Sequence, residues 1–95
     1  MSVVTVDDQA VFRGVARELI EATAGFESVG EAESGEAALA VVDQVRPQLV
    51  LVDVRMPGMD GIETSQRIKE KHPSTVVVLI SIEDAPNIPL SLIHI

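Results

Sequence analysis

Three carboxylates stand at the ends of two predicted strands, where their types and spacing could hold a metal ion. Asp7 and Asp8 follow the short β-branched run 2–6, and Asp53 stands near the end of the apolar run 49–54. Carboxylates brought together repel one another unless a cation or a proton compensates their charge. A site of oxygen ligands without His or Cys suits a hard ion. Mg²⁺ fits best, because it uses one or two carboxylates and keeps several waters.

Each of these residues has a simpler interpretation when it is taken alone. An Asp-Asp pair after a strand is more often a solvated turn or a helix cap. Ser81 ends the apolar run 75–81 and could offer a hydroxyl at the same edge, but serine is common at strand ends. Asp53 is different, because it interrupts an apolar run in which an unpaired acid is costly. The metal-site interpretation therefore depends most on Asp53.

The elements that must position these side chains alternate between strands and helices. Short apolar or β-branched runs predict strands at 2–6, 26–32, 49–54 and 75–81. Apolar residues at helical spacing predict helices at about 11–20, 34–45 and 62–71. Ser34 is the expected N-cap of the second helix, and Ile62 and Ile68 are expected to face inward from the third. This order predicts a parallel α/β sheet with helices on both faces, whose ligands bind at the carboxyl ends of the strands.

The first predicted helix has a distinct apolar face. Val11, Val15 and Leu19 recur on it at helical spacing, whereas Arg13 and Arg17 are predicted on the opposite, polar face. His72, at the end of the third helix, is expected to act as a favourable charge at a helix C-terminus.

Composition and charge exclude several classes of function. Fifteen acidic residues against seven basic ones give a net charge of −8, which argues against direct binding of DNA, RNA or an anionic membrane. The absence of cysteine excludes a disulfide scaffold and a thiolate metal site. No apolar stretch reaches the roughly 18–20 residues of a membrane span. The first residues also lack the basic start of a signal peptide. A cytoplasmic location is therefore expected.

Three segments of the sequence carry a resemblance to a known family. They are Val6-Asp7-Asp8, the stretch 51–61 that reads Leu-Val-Asp-Val-Arg-Met-Pro-Gly-Met-Asp-Gly, and Leu79-Ile80-Ser81. Together they resemble the receiver domain of bacterial two-component response regulators, over about residues 2–85. The stretch 34–38 and the loop after Asp53 are similar to the subfamily with a C-terminal helix-turn-helix output domain. The resemblance implies a flavodoxin-like fold that accepts a phosphoryl group from a sensor histidine kinase.

The resemblance also implies a role for each residue of the site. Asp53 would be the phosphoacceptor, and Asp8 and Asp53 would bind Mg²⁺ directly, with Asp7 supporting the ion through water. The backbone carbonyl of Arg55 would supply a further ligand. The hydroxyl of Ser81 would bond to the phosphoryl group and shift the domain towards an active surface. The resemblance further implies that phosphorylation leads to a homodimer and controls an output, which we expect to be transcription.

The sequence departs from the family in its C-terminal part. The family fold has five strand–helix units, whereas four strands and three helices are predicted here, and neither Lys69 nor Lys71 matches the family's lysine on the fifth strand. We interpret residues 1–89 as a partial receiver domain and residues 90–95 as a tail of doubtful origin, for which a sequencing artefact and a real apolar C-terminal strand are the two alternatives. In the strand order 2-1-3-4-5 the fourth strand becomes an edge. The apolar face of the first helix is then expected to remain partly uncovered.

Two other functions compete with the phosphoacceptor. A Mg²⁺-dependent aspartyl-phosphate phosphotransferase of the haloacid-dehalogenase type needs a second acid two residues after the nucleophile, where this chain has Arg55. A truncated or degenerate receiver would act only as a protein-interaction module, and the presence of Asp7, Asp8, Asp53 and Ser81 argues against degeneracy. We therefore expect a signalling module and not an enzyme with an external product.

Overall fold

Four parallel strands and three helices alternate along residues 1–81, the part of the chain that the computed structural model describes. The predictions for residues 90–95 and for the boundary at 89 therefore lie outside the described residues. The elements in order are β1 (Ser2–Val6), α1 (Ala10–Glu21), β2 (Glu27–Ala32), α2 (Gly35–Val45), β3 (Leu49–Asp53), α3 (Gly61–Lys71) and β4 (Val76–Ile80). The sheet has the order β2-β1-β3-β4, with every pair parallel. The α/β architecture predicted from the sequence is confirmed.

The main core lies between the sheet and the helices α2 and α3. Successive side chains of a strand point to opposite faces, so alternate valines of the two central strands face these helices. The fully buried members of this cluster are Val4, Val6, Val50, Val52, Ala38, Val42 and Ile68. β1 and β3 are the two central strands of the sheet, and they carry the near-continuous apolar runs typical of such strands in a parallel sheet.

The other face of the sheet is covered in part by α1. The apolar stripe predicted on this helix is largely uncovered: Val11, Val15 and Leu19 are 74%, 43% and 59% exposed, and Ile20 is the buried residue of the helix. The predicted exposure of this face is therefore confirmed. The prediction for Arg13 is wrong, since its side chain is only 17% exposed and contacts the ends of β1 and β2.

The orientation of α3 differs from the prediction at one residue. Ile68 is fully buried as expected, but Ile62 is 49% exposed. The buried face is formed by Gly61, Thr64 and Ile68, which recur at helical spacing, and Ile62 lies one residue away from that stripe. The hydroxyl of Thr64 donates to the carbonyl oxygen of Asp60 at 2.7 Å, and this bond lets a polar residue occupy an inward position.

Side-chain bonds define the ends of α2 and α3. Ser34 caps α2 as predicted, accepting from the backbone N–H of Ala37 at 3.1 Å, and Asp60 caps α3 in the same way. At the other end, Asp43 of α2 contacts Lys71 Nζ at 2.6 Å and His72 Nε2 at 2.7 Å. His72 thus has an acidic partner across the helix pair that the sequence did not indicate. The hydrogen bonds from Lys71 and His72 lower the pKa of the Asp43 carboxyl.

No helix in the described part of the chain combines the length and the apolar character that crossing a bilayer requires.

Candidate functional site

The strand order brings the predicted acidic residues together at one edge of the sheet. β1 and β3 are direct neighbours, with Val6 paired to Val52, so the residues that follow lie side by side. One carboxylate oxygen from each of Asp7, Asp8 and Asp53 lies within 4.8 Å of the others. The central prediction from the sequence, that these three acids share one crevice, is confirmed at the level of geometry.

Asp7 is the most buried member of the cluster, at 5% exposure. Its backbone N–H donates to the carbonyl oxygen of Ala32 at 3.0 Å, which extends the pairing of β1 with β2 by one residue. Its Oδ1 accepts from the N–H of Gln9 at 2.9 Å. Burial raises the pKa of Asp7 to about 6, and the negative charges of Asp53 and Asp8 also raise it. The hydrogen bond from the Gln9 N–H opposes this rise. A metal-free site therefore carries electrostatic repulsion that a cation would relieve.

Asp53 is partly exposed at the end of β3. Its Oδ1 accepts from the N–H of Arg55 at 3.0 Å, which limits the rotation of the carboxylate. Burial raises the pKa of the Asp53 carboxyl, with a further contribution from Asp8, and the Arg55 N–H opposes the rise. The side chain of Arg55 is exposed. The predicted role of its backbone carbonyl as a metal ligand stays a prediction.

The loop after Asp53 turns back onto the backbone of that residue. The N–H of Gly61 donates to the carbonyl oxygen of Val54 at 3.1 Å. A Cβ atom at Gly61 would clash with the Asp53 carbonyl group and would lie 2.7 Å from Val54 Cα. A residue larger than glycine would therefore displace either α3 or the end of β3. The sequence indicated a Pro/Gly loop here, but it did not show that the last glycine of the motif is required by this close approach.

Ser81 lies at the same edge of the sheet. Its neighbour Ile80 pairs with Asp53, and the carbonyl oxygen of Ile80 accepts from the N–H of Val54 at 2.9 Å. Ser81 thus follows directly on the strand position that faces Asp53. The expected position of Ser81 at the rim is borne out, and its bond to a phosphoryl group stays a prediction.

The donor set fits a hard divalent cation. All three acids offer carboxylate oxygens, and the cluster contains no nitrogen or sulfur ligand. Mg²⁺ binds through one or two carboxylates plus water and phosphoryl oxygens, which suits a partly open site with one buried and two more accessible acids. The chemistry of the residues is therefore consistent with the predicted Mg²⁺.

Comparison with known proteins gives one consistent result. Residues 3–94 match the response regulator receiver domain family. The transcriptional regulatory protein YdfI of Bacillus subtilis is 39% identical over 77 residues, which are 81% of this chain and 36% of that protein. Protein-glutamate methylesterase/protein-glutamine glutaminase 3 of Hahella chejuensis is 42% identical over 79 residues, which are 83% of this chain and 22% of that protein.

A solved structure agrees with these sequence relatives. The response regulator domain of Thermotoga maritima CheB has a TM-score of 0.81 and 28% identity, over 97% of this chain and 68% of that chain. Of the two curated relatives, the chain spans 36% of the length of YdfI and 22% of the length of the methylesterase.

Proposed function

The chain belongs to the response regulator receiver domain family, and on that premise we propose that it accepts a phosphoryl group on Asp53 from a sensor histidine kinase. The observation that carries the proposal is the meeting of Asp7, Asp8 and Asp53 within 4.8 Å at the carboxyl edge of the sheet. The family is a signalling module, and we propose no external product for this chain.

The proposed reaction is a transfer between two nucleophiles. A carboxylate oxygen of Asp53 forms a bond to phosphorus while the P–N bond of the kinase phosphohistidine breaks, and the electron pair of that bond returns to the imidazole. The product is an acyl phosphate. The N–H of Arg55, bound to Oδ1 of Asp53, holds the carboxylate in one orientation during the attack. No proton has to leave the nucleophile if Asp53 is ionised.

Mg²⁺ at the three carboxylates would supply positive charge to the acids and to the phosphoryl oxygens of the transition state. Asp8 and Asp53 are the proposed direct ligands, with the carbonyl of Arg55, and Asp7 is proposed to act through water. Asp7 is buried and fixed by two hydrogen bonds, so it can hold its position while Asp53 reacts. Ser81, one residue beyond the strand position that faces Asp53, is proposed to bond to the phosphoryl group and to move the end of β4 inward.

The output and the partners are also proposals. The two curated relatives named above are a transcriptional regulatory protein and a methylesterase, so receiver domains of this kind precede different outputs. The similarity of the loop after Asp53 to helix-turn-helix regulators leads us to propose control of transcription, with dimer formation on phosphorylation. We propose a cytoplasmic location, with no direct contact of this acidic chain with nucleic acid or membrane.

A chemical test addresses the phosphoacceptor directly. The chain is incubated with Mg²⁺ and a small phosphodonor such as acetyl phosphate, and the intact mass is measured before and after treatment with hydroxylamine. We expect one phosphoryl adduct that hydroxylamine removes and that an Asp53→Asn variant does not form. Asp60→Asn is the matched control, since Asp60 is an exposed acid of the same loop and caps α3. An adduct that persists in Asp53→Asn would refute the assignment of the site, and the absence of any adduct on the parent chain would favour the interaction-module alternative.

A further inference from the structure

A half-buried arginine of α1, Arg13, bonds to the backbone between Asp7 and Asp8. Nη1 of Arg13 donates to the carbonyl oxygen of Asp7 at 2.6 Å, and its Nε lies 3.5 Å from Oε1 of Glu31 on β2. The Arg13 side chain is 17% exposed, and that of Glu31 is 25% exposed. One guanidinium thus connects α1, the end of β1 and the end of β2, next to the proposed metal site.

The bonded carbonyl belongs to the peptide unit that joins Asp7 to Asp8. A peptide unit is planar, so the direction of its C=O also sets the position of the next Cα atom. The N–H of Asp7 is held by Ala32, and the N–H of Gln9 is held by the Asp7 carboxylate. The bond from Arg13 supplies a third restraint, and it acts on the peptide unit between those two N–H groups. Rotation of this peptide would move the Asp8 side chain relative to that of Asp7.

We propose that Arg13 is a positioning residue for the Mg²⁺ site, holding the Asp7–Asp8 peptide in the orientation that lets both carboxylates face Asp53. The inference rests on the proposed function, since it assumes that these acids bind the metal. The guanidinium suits this role because it is rigid, presents several donors in one plane and stays charged. Hydrogen bonds from a charged donor are also shorter and stronger than neutral ones.

A purely structural role is the competing interpretation, and the chain offers a matched control for it. Arg17 lies one turn further along α1 and forms an ion pair with the same Glu31, but its side chain is 54% exposed. If Arg13 only ties α1 to β2, then replacing either arginine should have similar consequences. If Arg13 positions the acids, then only its replacement should alter metal binding.

The experiment compares the chain with its Arg13→Ala, Arg13→Lys and Arg17→Ala variants. Each protein is titrated with Mg²⁺ alone by calorimetry, and amide hydrogen exchange at Gln9 is measured without metal. We expect the Kd for Mg²⁺ to rise roughly tenfold in Arg13→Ala, the usual effect of losing a group that orients a ligand. Arg13→Lys keeps the charge and most of the packing but lacks the planar guanidinium. Its Kd for Mg²⁺ should therefore lie between those of Arg13→Ala and the parent. Arg17→Ala should bind like the parent.

The exchange measurement separates this inference from the proposed function. Because the Gln9 N–H is bonded to Asp7, it should exchange faster in Arg13→Ala than in Arg17→Ala. Equal Mg²⁺ affinity in the parent and both Arg13 variants would overturn the inference, and so would an equal loss in Arg17→Ala. If the parent chain itself binds no Mg²⁺, the proposed function fails. In that case, unchanged exchange of the Gln9 N–H in Arg13→Ala overturns the role of Arg13. Faster exchange in that variant supports Arg13 as a restraint on the Asp7–Asp8 pair. If Arg13→Ala does not fold, the Lys variant decides by the same criteria.

Discussion

Mg²⁺ binding should weaken sharply as the pH falls below 6, because Asp7 takes up a proton in that range. Burial, with help from the charges of Asp53 and Asp8, raises the pKa of Asp7 from 3.8 to about 6 in the metal-free protein. A carboxylate must be ionised to support the metal, so protons compete with Mg²⁺ at this residue. The perturbation is therefore the pH alone, with the protein unchanged.

The size of the effect follows from the raised pKa. For one titrating group, the apparent Kd is multiplied by a factor of one plus the ratio of protonated to ionised carboxyl. With a pKa of about 6, the apparent Kd should increase about twofold at pH 6 and about elevenfold at pH 5, relative to its value at about pH 7.5. A carboxyl with the ordinary pKa of 3.8 would change the Kd by only about 6% at pH 5. The pKa of Asp53 is also raised, and its protonation would add to the weakening at the acid end.

Calorimetric titrations at three pH values and constant ionic strength measure this dependence. Repeating them in buffers with different ionisation enthalpies reports the protons released when Mg²⁺ binds. We expect release to increase as the pH falls from 7.5 to 5, and we expect Asp7→Asn to lose most of the pH dependence. A Kd that changes less than about twofold over this range would refute the electrostatic account of the site.

Three further predictions concern stability, measured by circular dichroism in urea because the chain has neither Trp nor Tyr. Gly61→Ala should lower the free energy of unfolding by about 2 kcal/mol or more, because its Cβ would clash with the Asp53 carbonyl group. Gly14→Ala, in a roomier position of α1, should be neutral or stabilising by up to about 1 kcal/mol; equal effects would contradict the close-approach argument. Asp7→Asn should stabilise the metal-free protein above pH 6 by at most about 3 kcal/mol, since a pKa raised on folding destabilises the folded state once the group ionises. That gain should vanish below the ordinary pKa of 3.8, and its absence at neutral pH would count against burial as the cause. Asp43→Asn should destabilise the protein at neutral pH, because the pKa of Asp43 is lowered on folding. The parent should therefore be more stable than Asp43→Asn at neutral pH, and it should lose this advantage as the pH falls through the lowered pKa. An advantage that persists in strong acid would argue against the ionic contacts between α2 and α3.

The fold and the main site could be predicted because their signals are local in the sequence. The apolar run of β3 indicates a central strand of a parallel sheet, and Asp53 stands out as the acid within it. Parallel order then places the residues after β1 and β3 at one edge. The three acids could thus be brought together without any knowledge of side-chain conformations.

The errors lie where an outcome depends on contacts between elements. Arg13 reads as a polar surface residue from helical spacing alone, and its burial depends on where Glu31 and the Asp7 carbonyl lie across the sheet. Ile62 was expected inside because it is apolar, but Gly61 and Thr64 take the inward positions since α3 approaches the backbone after Asp53. The raised pKa of Asp7 likewise depends on its burial in the folded chain and on the charge of Asp53 from β3, in addition to that of its neighbour Asp8.

The measurement that tests the central claim most directly is identification of the modified residue. The chain is phosphorylated by acetyl phosphate in the presence of Mg²⁺, reduced with borohydride, which converts an acyl phosphate of aspartate to homoserine, and sequenced by tandem mass spectrometry. The account predicts homoserine at residue 53, dependent on Mg²⁺ and unaffected by Asp60→Asn. Homoserine at Asp7, at Asp8 or at an acid outside the cluster, or no reduced residue in a chain shown to bind Mg²⁺, would contradict it.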